Sequence, residues 1–250
     1  MSTPSQVKKL VVIPTYNEKE NIEAIIHAVL EQEIEPHVLI VDDNSPDGTG
    51  DIVRSLQADN KDKIHLIQRE GKQGLGTAYI AGFKFGIEKG YDYIFEMDAD
   101  FSHKPKDLNR LYQACEAGAD VAVGSRYTKG GGVKNWPVDR LILSYGASVY
   151  VRMITWMWVK DPTAGFICYS KNVLEAMDFN RIRFSGYAFQ IEMKYYAHRL
   201  GFKIREVPIT FTDREKGESK MNTNIVQEAI KGVIGLRLRA IKGYYAKPKS

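Results

Sequence analysis

The sequence predicts an α/β fold: a mostly parallel central sheet with helices on both faces. Three observations carry that expectation. Over the first 125 residues, short apolar runs alternate with amphipathic stretches in a strand–helix rhythm. The connections between them are short, which suits βαβ units. Polar and glycine-rich segments follow the strands, at the edge where ligands bind in open sheets of this kind.

The run KLVVI at 9–13 is short and continuously apolar and reads as the first strand. An amphipathic helix follows at 20–31. A strand at 37–41, a helix at 49–58, a strand at 63–67 and a helix at 76–89 repeat the pattern. A strand at 93–97, a helix at 105–116 and a strand at 120–123 complete the first half. The second half is less regular. Gly130, Gly131 and Gly132 mark a flexible loop, and a mixed apolar and aromatic helix is expected at about 140–159. Residues 205–212 read as an extended segment whose Pro208 favours an edge or a bend. The last helix, about 222–245, carries Val226, Ile230, Val233, Ile234, Leu238 and Ile241 on one stripe.

With 44% apolar residues the chain supports one sizeable domain over 1–250, and no repeat or linker divides it. Cys115 and Cys168 are far apart in sequence and share no metal-ligand spacing, which suits a reducing cytoplasm. The N-terminal residues lack the apolar core of a signal peptide. No apolar run reaches the ~18 residues of a spanning helix. The segment at 145–159 comes nearest, and Arg152 interrupts it. From Ala229 onward there is no acid, against Lys231, Arg237, Arg239, Lys242, Lys247 and Lys249. Such an end suits an anionic surface, membrane or nucleic acid, or is a solvated helix face.

Two motifs fail on inspection. The segment from Asp43 imitates a calcium loop, but the position of its bidentate glutamate is Arg54. Gly74-Leu-Gly76 follows a strand as a dinucleotide fingerprint does, but the third glycine position is Tyr79. Asp98-Ala-Asp100 is different. On extended backbone its carboxylates point the same way and repel, so a hard cation gripping a diphosphate would offset them. The alternative is that Asp100 or Ser102 caps the helix after Pro105. Asp42 and Asp43 end another strand, suited either to a base N–H or ribose hydroxyl or to turn-making. Pro14-Thr-Tyr16-Asn-Glu18 places an aromatic ring able to stack on a base beside a helix start.

In order along the chain, PTYNE (14–18), VDDNSPDGT (41–49), DAD (98–100), GSRY (124–127), NWP (135–137), GYAFQ (186–190), EVP (206–208) and REKGESK (214–220) resemble glycosyltransferase family two. Within it, they resemble the polyprenyl-phosphate (dolichyl-phosphate) mannosyltransferase branch over nearly the whole chain. The resemblance implies the glycosyltransferase A fold, a Rossmann-like sheet. Residues 1–125 would form the nucleotide-sugar half, 126–220 the acceptor half, and 221–250 a basic amphipathic helix and tail. Pro14, Tyr16, Glu18, Val41 and Asp43 would hold the guanosine of GDP-mannose. Asp98, Ala99 and Asp100 would meet the diphosphate and its divalent metal, Mg2+ or Mn2+, and Ser102 stands where some members place a third ligand, Gln. Arg126, Arg140, Ser144, Arg214 and Lys220 would handle phosphate groups of donor and acceptor, the competing role being surface salt bridges. Asp98, Asp100, Arg126 and Arg214 are the catalytic candidates among these.

The implied reaction is inverting transfer of mannose to a polyprenyl (dolichyl) phosphate, giving a β-linked mannosyl phospholipid. A phosphate monoester with a second pKa of about 6 is already ionised near neutrality, so no dedicated general base is expected. The aromatic segment and the basic last helix would lie on the cytoplasmic face of a membrane, or pack into the core. No nucleic-acid partner is implied, and a membrane-anchoring partner is left open. The rival readings are a UDP-glucose-dependent or glycan-directed enzyme of the same family, and a nucleotide-sugar-binding subunit without catalysis.

Overall fold

The computed structural model describes residues 7–186, 188–213 and 223–246, with side chains excepted over 223–231. The first half alternates as the periodicity predicts, with shifts only at element ends. In order it forms β1 (Lys9–Thr15), α1 (Ile22–Leu30), β2 (His37–Asp42), α2 (Thr49–Asp59), β3 (Ile64–Gln68), α3 (Leu75–Glu88), β4 (Tyr93–Glu96), α4 (Asp107–Glu116) and β5 (Val121–Ser125). The second half contributes β6 (Gly132–Lys134), α5 (Val138–Thr155), β7 (Ile167–Ser170), α6 (Lys171–Glu175) and α7 (Phe189–Arg199). It ends with β8 (Ile204–Pro208), β9 (Thr210–Thr212) and α8 (Thr223–Ile241).

Seven strands form one sheet in the order β3-β2-β1-β4-β7-β5-β8. All neighbours are parallel except β7, which runs antiparallel to both β4 and β5. A strand of the second half therefore sits between two of the first, and the two halves share one sheet. Side chains alternate across it with period two. Leu10 and Val12 of β1 enter one core with α3, α7 and α8, while Val11 and Ile13 enter the other with α1, α2 and α4. Helix α3 comes close because it is glycine-rich on its inner face. A Cβ at Gly82 would overlap Val12 Cγ1, and one at Gly86 would lie 2.5 Å from Ile94 Cδ1.

Three expectations for the second half change. The helix expected to reach 159 stops at Thr155, where Trp156 takes a left-handed backbone (φ 58°) and ends it. The extended segment at 205–212 is two strands. β8 lies at the sheet edge, where Pro208 costs no ladder bond, and β9 turns away to pair with β6. The stripe expected on the last helix is split: Val233, Leu236 and Ala240 are buried, whereas Ile234, Leu238 and Ile241 are exposed. The side chains of Val226 and Ile230 lie outside the described residues.

Gly82→Ala tests the close α3–β1 approach. Alanine favours a helix over glycine by about 1 kcal/mol, yet overpacking against Val12 costs about 1–3 kcal/mol. Urea unfolding should show a net loss of stability; a gain would mean that α3 can lift from the sheet at no cost.

Candidate active site

Three strand ends meet at one edge of the sheet. β4 stops at Glu96, and Asp98-Ala99-Asp100 forms the loop beyond it. Ala99 is buried in the core between two half-buried aspartates, so the alternation persists past the strand. The Asp98 side chain is 40% exposed. Asp100 Oδ1 accepts the Ser102 N–H at 3.0 Å, tightening a turn in which Phe101 has φ 58°. The helix-cap alternative does not hold: α4 begins at Asp107 after Lys106, with no side-chain cap. Tyr79 donates its hydroxyl to Asp98 Oδ1 at 3.4 Å. His103 is buried, stacks on Phe166 at 4.9 Å, and accepts the Asp98 N–H at Nδ1 (3.4 Å). Burial pushes its pKa down to about 4 against the pull of Asp100, so the ring is neutral at pH 7.

Among the described residues no group of three or more His, Cys, Asp or Glu forms a metal cage. Two carboxylates on an open loop instead fit a hard cation that keeps substrate oxygens as its other ligands. Ser102 Oγ, buried without a hydrogen-bond partner, is an orphan oxygen beside them.

The neighbouring corner is laced by loop-to-loop bonds. Asp42 is wholly buried and accepts from Thr15 Oγ1 at 2.8 Å and from the Ser45 N–H at 3.0 Å. Asn17, Glu18 and Lys19 donate their N–H groups to Ser45 Oγ, Thr49 Oγ1 and Asp47 Oδ2. Pro14, Tyr16 and Glu18 are half-buried on this corner, with Lys72 Nζ 5.0 Å over the Tyr16 ring. Asp43 pairs with Arg69, whose Nη1 also reaches Thr77 Oγ1 at 2.6 Å. Val41 departs from expectation. It is fully buried in the core, so it supports the corner from beneath and offers no surface to a base.

The expected phosphate residues also sort differently. Arg126 is only 6% exposed, and its fork grips Asp161 through Nε–Oδ2 (2.7 Å) and Nη2–Oδ1 (2.6 Å), with Nη2 also on Thr163. The rings of Tyr127, Trp136 and Phe211 surround it. Three of its side-chain N–H donors are thus already engaged, and its direct effect is to hold the ring cluster. Arg140 stacks over Trp136 at 4.3 Å and pairs with Asp213 at 2.7 Å. Ser144 Oγ accepts from Tyr127 at 2.7 Å. Phe211 lies edge-on to His103 at 5.4 Å, and the Thr212 N–H reaches the Ser102 carbonyl at 3.2 Å, joining this cluster to the Asp98 loop. Arg214 and Lys220 lie outside the described residues.

Beneath the site, Gln190 Nε2 donates to Glu96 Oε2 at 2.6 Å, and Lys194 Nζ donates to the Ala164 carbonyl at 2.6 Å. Burial pushes Glu96 up to about 8 and Lys194 down to about 8. Arg69, Tyr79, His103, Asp161 and Thr163 are the residues that sequence reasoning did not assign. Arg69 and His103 stood in polar segments that follow predicted strands, whereas Asp161 and Thr163 sit in an irregular segment with no periodic signal.

Burial would raise the Asp161 carboxyl, but the hydrogen bonds and charge of Arg126 outweigh it and hold the group below its ordinary value. The pair's stabilisation is therefore complete above the unfolded value of about 3.9 and is lost as pH falls through the lower folded value. Asp161→Ala, which strands a buried guanidinium, should cost about 3–5 kcal/mol in urea unfolding at pH 7. The deficit should shrink at acid pH. An unchanged midpoint with only a raised acceptor KM would make Arg126 a phosphate ligand instead.

Comparison with known proteins agrees with this arrangement. The Glycosyl transferase family 2 model matches residues 10–185. Polyprenol monophosphomannose synthase of Mycolicibacterium smegmatis is 47% identical over 227 residues, covering 91% of this chain and 85% of that protein. Undecaprenyl-phosphate mannosyltransferase of Micrococcus luteus is 45% identical over 227 residues, covering 91% and 93%. In three dimensions, glucosyl-3-phosphoglycerate synthase from Mycobacterium tuberculosis in complex with phosphoglyceric acid matches with a TM-score of 0.65 at 16% identity, over 98% of this chain and 82% of that one. Its complex with Mn2+, uridine diphosphate and glucosyl-3-phosphoglycerate matches at 0.65 and 17%, with the same coverage. Those likenesses speak for the glycosyltransferase A fold. Sheet, site and sequence converge: the chain belongs to glycosyltransferase family 2.

Proposed function

We propose that this chain transfers mannose, with inversion, from GDP-mannose to a polyprenyl (dolichyl) phosphate. The observation that carries the proposal is the meeting of two groups at one sheet edge: the Asp98–Asp100 loop and the cluster of Arg126, Arg140 and Ser144, linked through His103 and Phe211. The named activities of the two relatives support the sugar and the acceptor. For the base, support comes from the corner of Pro14, Tyr16, Glu18 and Asp43, where Arg69 holds the Asp43 carboxylate and the Tyr16 ring is half-buried.

Asp98 and Asp100 would hold Mg2+ or Mn2+, with Ser102 Oγ as an available third oxygen. A cation held there would supply charge neutralisation for the leaving diphosphate. Arg140, stacked on Trp136 and paired with Asp213, would exchange that carboxylate for the acceptor phosphate, and the resemblance adds Arg214 and Lys220. His103 is neutral and buried against Phe166, with Nδ1 accepting from the Asp98 N–H; it shapes the loop. The lipid phosphate arrives ionised and needs only in-line placement.

The acceptor is a membrane lipid, and no described helix is long and apolar enough to cross a bilayer. We place the chain peripherally on the cytoplasmic face. Met153, Trp156 (71% exposed) and Trp158 (85%) continue α5 into an apolar surface beside Ile234, Leu238 and Ile241 of α8. Arg237 stacks on Trp156 at 4.4 Å, and Lys242 is exposed nearby, a pairing suited to an anionic interface. Arg239, in contrast, turns inward against Phe184, so it belongs to the packing rather than to the basic surface.

Incubation with labelled GDP-mannose or UDP-glucose and a polyprenyl phosphate, followed by lipid extraction, separates the readings. Label should enter lipid from GDP-mannose, and Asp100→Asn should lower the rate by about two orders of magnitude. Label from UDP-glucose alone would overturn the donor, and nucleotide binding without any lipid product would leave a binding subunit. Co-sedimentation with anionic vesicles tests the surface: Trp156→Ser with Trp158→Ser should abolish it, and Arg237→Glu with Lys242→Glu should weaken it most at low salt. Undiminished binding of both variants would assign these side chains to another role.

A further inference from the structure

Tyr79, the residue that breaks the dinucleotide fingerprint at the start of α3, has a second use. Its side chain is wholly buried, stacked on Phe189 at 6.0 Å (interplanar angle 5°) and on Phe83 at 6.2 Å (20°). A wholly buried ring packed against both neighbours has little freedom, and its hydroxyl reaches the Asp98 loop. A buried tyrosine hydroxyl requires a partner. Among the described residues its partner is Asp98 Oδ1, at 3.4 Å. The stack is built in: a Cβ at Gly76 would lie 2.6 Å from the Phe189 ring, so only glycine lets α3 approach α7 this closely. The next residue of α7, Gln190, holds Glu96 at 2.6 Å, two residues before Asp98. The first turn of α7 thus steadies the loop by two routes, one through Tyr79 and one through Glu96.

We propose that Tyr79 is a positioning residue for the transfer reaction, holding the Asp98 carboxylate in the rotamer that receives the divalent cation. This rests on the metal reading of Asp98 and Asp100 given above. A carboxylate 40% exposed has several rotamers open to it, and a donor anchored in the core selects among them. Hydrogen-bond partners behind a metal-binding carboxylate change metal affinity by about 10–100-fold when removed.

Tyr79→Phe deletes the hydroxyl and keeps both stacks. Mn2+ titrated into protein saturated with GDP, followed by the electron paramagnetic resonance signal of free Mn2+, gives the affinity directly. Tyr79→Phe should weaken Mn2+ binding about tenfold, while GDP affinity without metal and the thermal midpoint stay at wild-type values. Asp98→Asn should weaken Mn2+ binding further. If Tyr79→Phe binds Mn2+ like wild type while Asp98→Asn does not, the positioning role is wrong and the metal reading survives. Wild-type binding by Asp98→Asn would remove the metal reading itself, and the positioning role with it. Should Tyr79→Phe lower the midpoint, turnover decides: recovery at high Mn2+ supports positioning, and turnover that stays low at saturating Mn2+ overturns it.

Discussion

One antiparallel strand sets the dimensions of the site. β7 lies between β4 and β5 and runs against both, so the chain entering it crosses the same edge at which β4 and β5 end. With strands about 4.8 Å apart, the inserted strand separates those two ends by roughly 10 Å. The Asp98 loop lies on one side of that gap and the Arg126 cluster on the other. The entering segment also brings its own groups to the edge. Asp161 and Thr163 meet Arg126, and Phe166 supplies the ring on which His103 stacks. A parallel strand in the same place would deliver its entering segment to the opposite edge, and both contacts would be lost.

This placement explains why so many ionisable groups are buried below the site. Glu96, Lys194, Asp161 and Arg126 are all nearly or wholly inaccessible. Replacing such groups by packed apolar side chains is often neutral or stabilising, so stability alone does not account for them. Direction does. Apolar contacts tolerate sliding, whereas the fork of Arg126 on Asp161 and the Gln190–Glu96 bond have narrow geometries. Each ties a strand end to an element on the far side of the gap: β5 to the segment entering β7, and β4 to α7.

The first half was legible because its strands and helices have the two periodicities that sequence reading detects, and its loops fall where an open sheet places ligands. What was missed lacked those signals. β7 is four residues long, and α7 is buried from Phe189 to Ala197, so it shows no polar face from which to infer a helix. Asp98 and Asp100 were singled out because two acids with one small residue between them stand out. Tyr79 and Asp161 were not, because their partners are 19 and 35 residues away and are set by packing. Arg126 was singled out for phosphate, but sequence offers no means of seeing that an internal carboxylate already occupies its fork. Val41 marks the same limit, since a residue next to a ligand loop in sequence can lie beneath it in space.

The apolar surface carries the last step. A helix that packs on a core needs one apolar face, yet α8 buries Val233, Leu236 and Ala240 and still exposes Ile234, Leu238 and Ile241. Helix α5 bears the same excess, and the two pack together, so their surplus faces form one surface rather than two. Exposed apolar area of this extent on a water-soluble face favours association. Helix α5 also carries Arg140 and Ser144 near its start and Met153 near its end, a rise of about 20 Å at 1.5 Å per residue. A lipid phosphate that reached Arg140 would therefore have its hydrocarbon continuing along an apolar flank of the same helix.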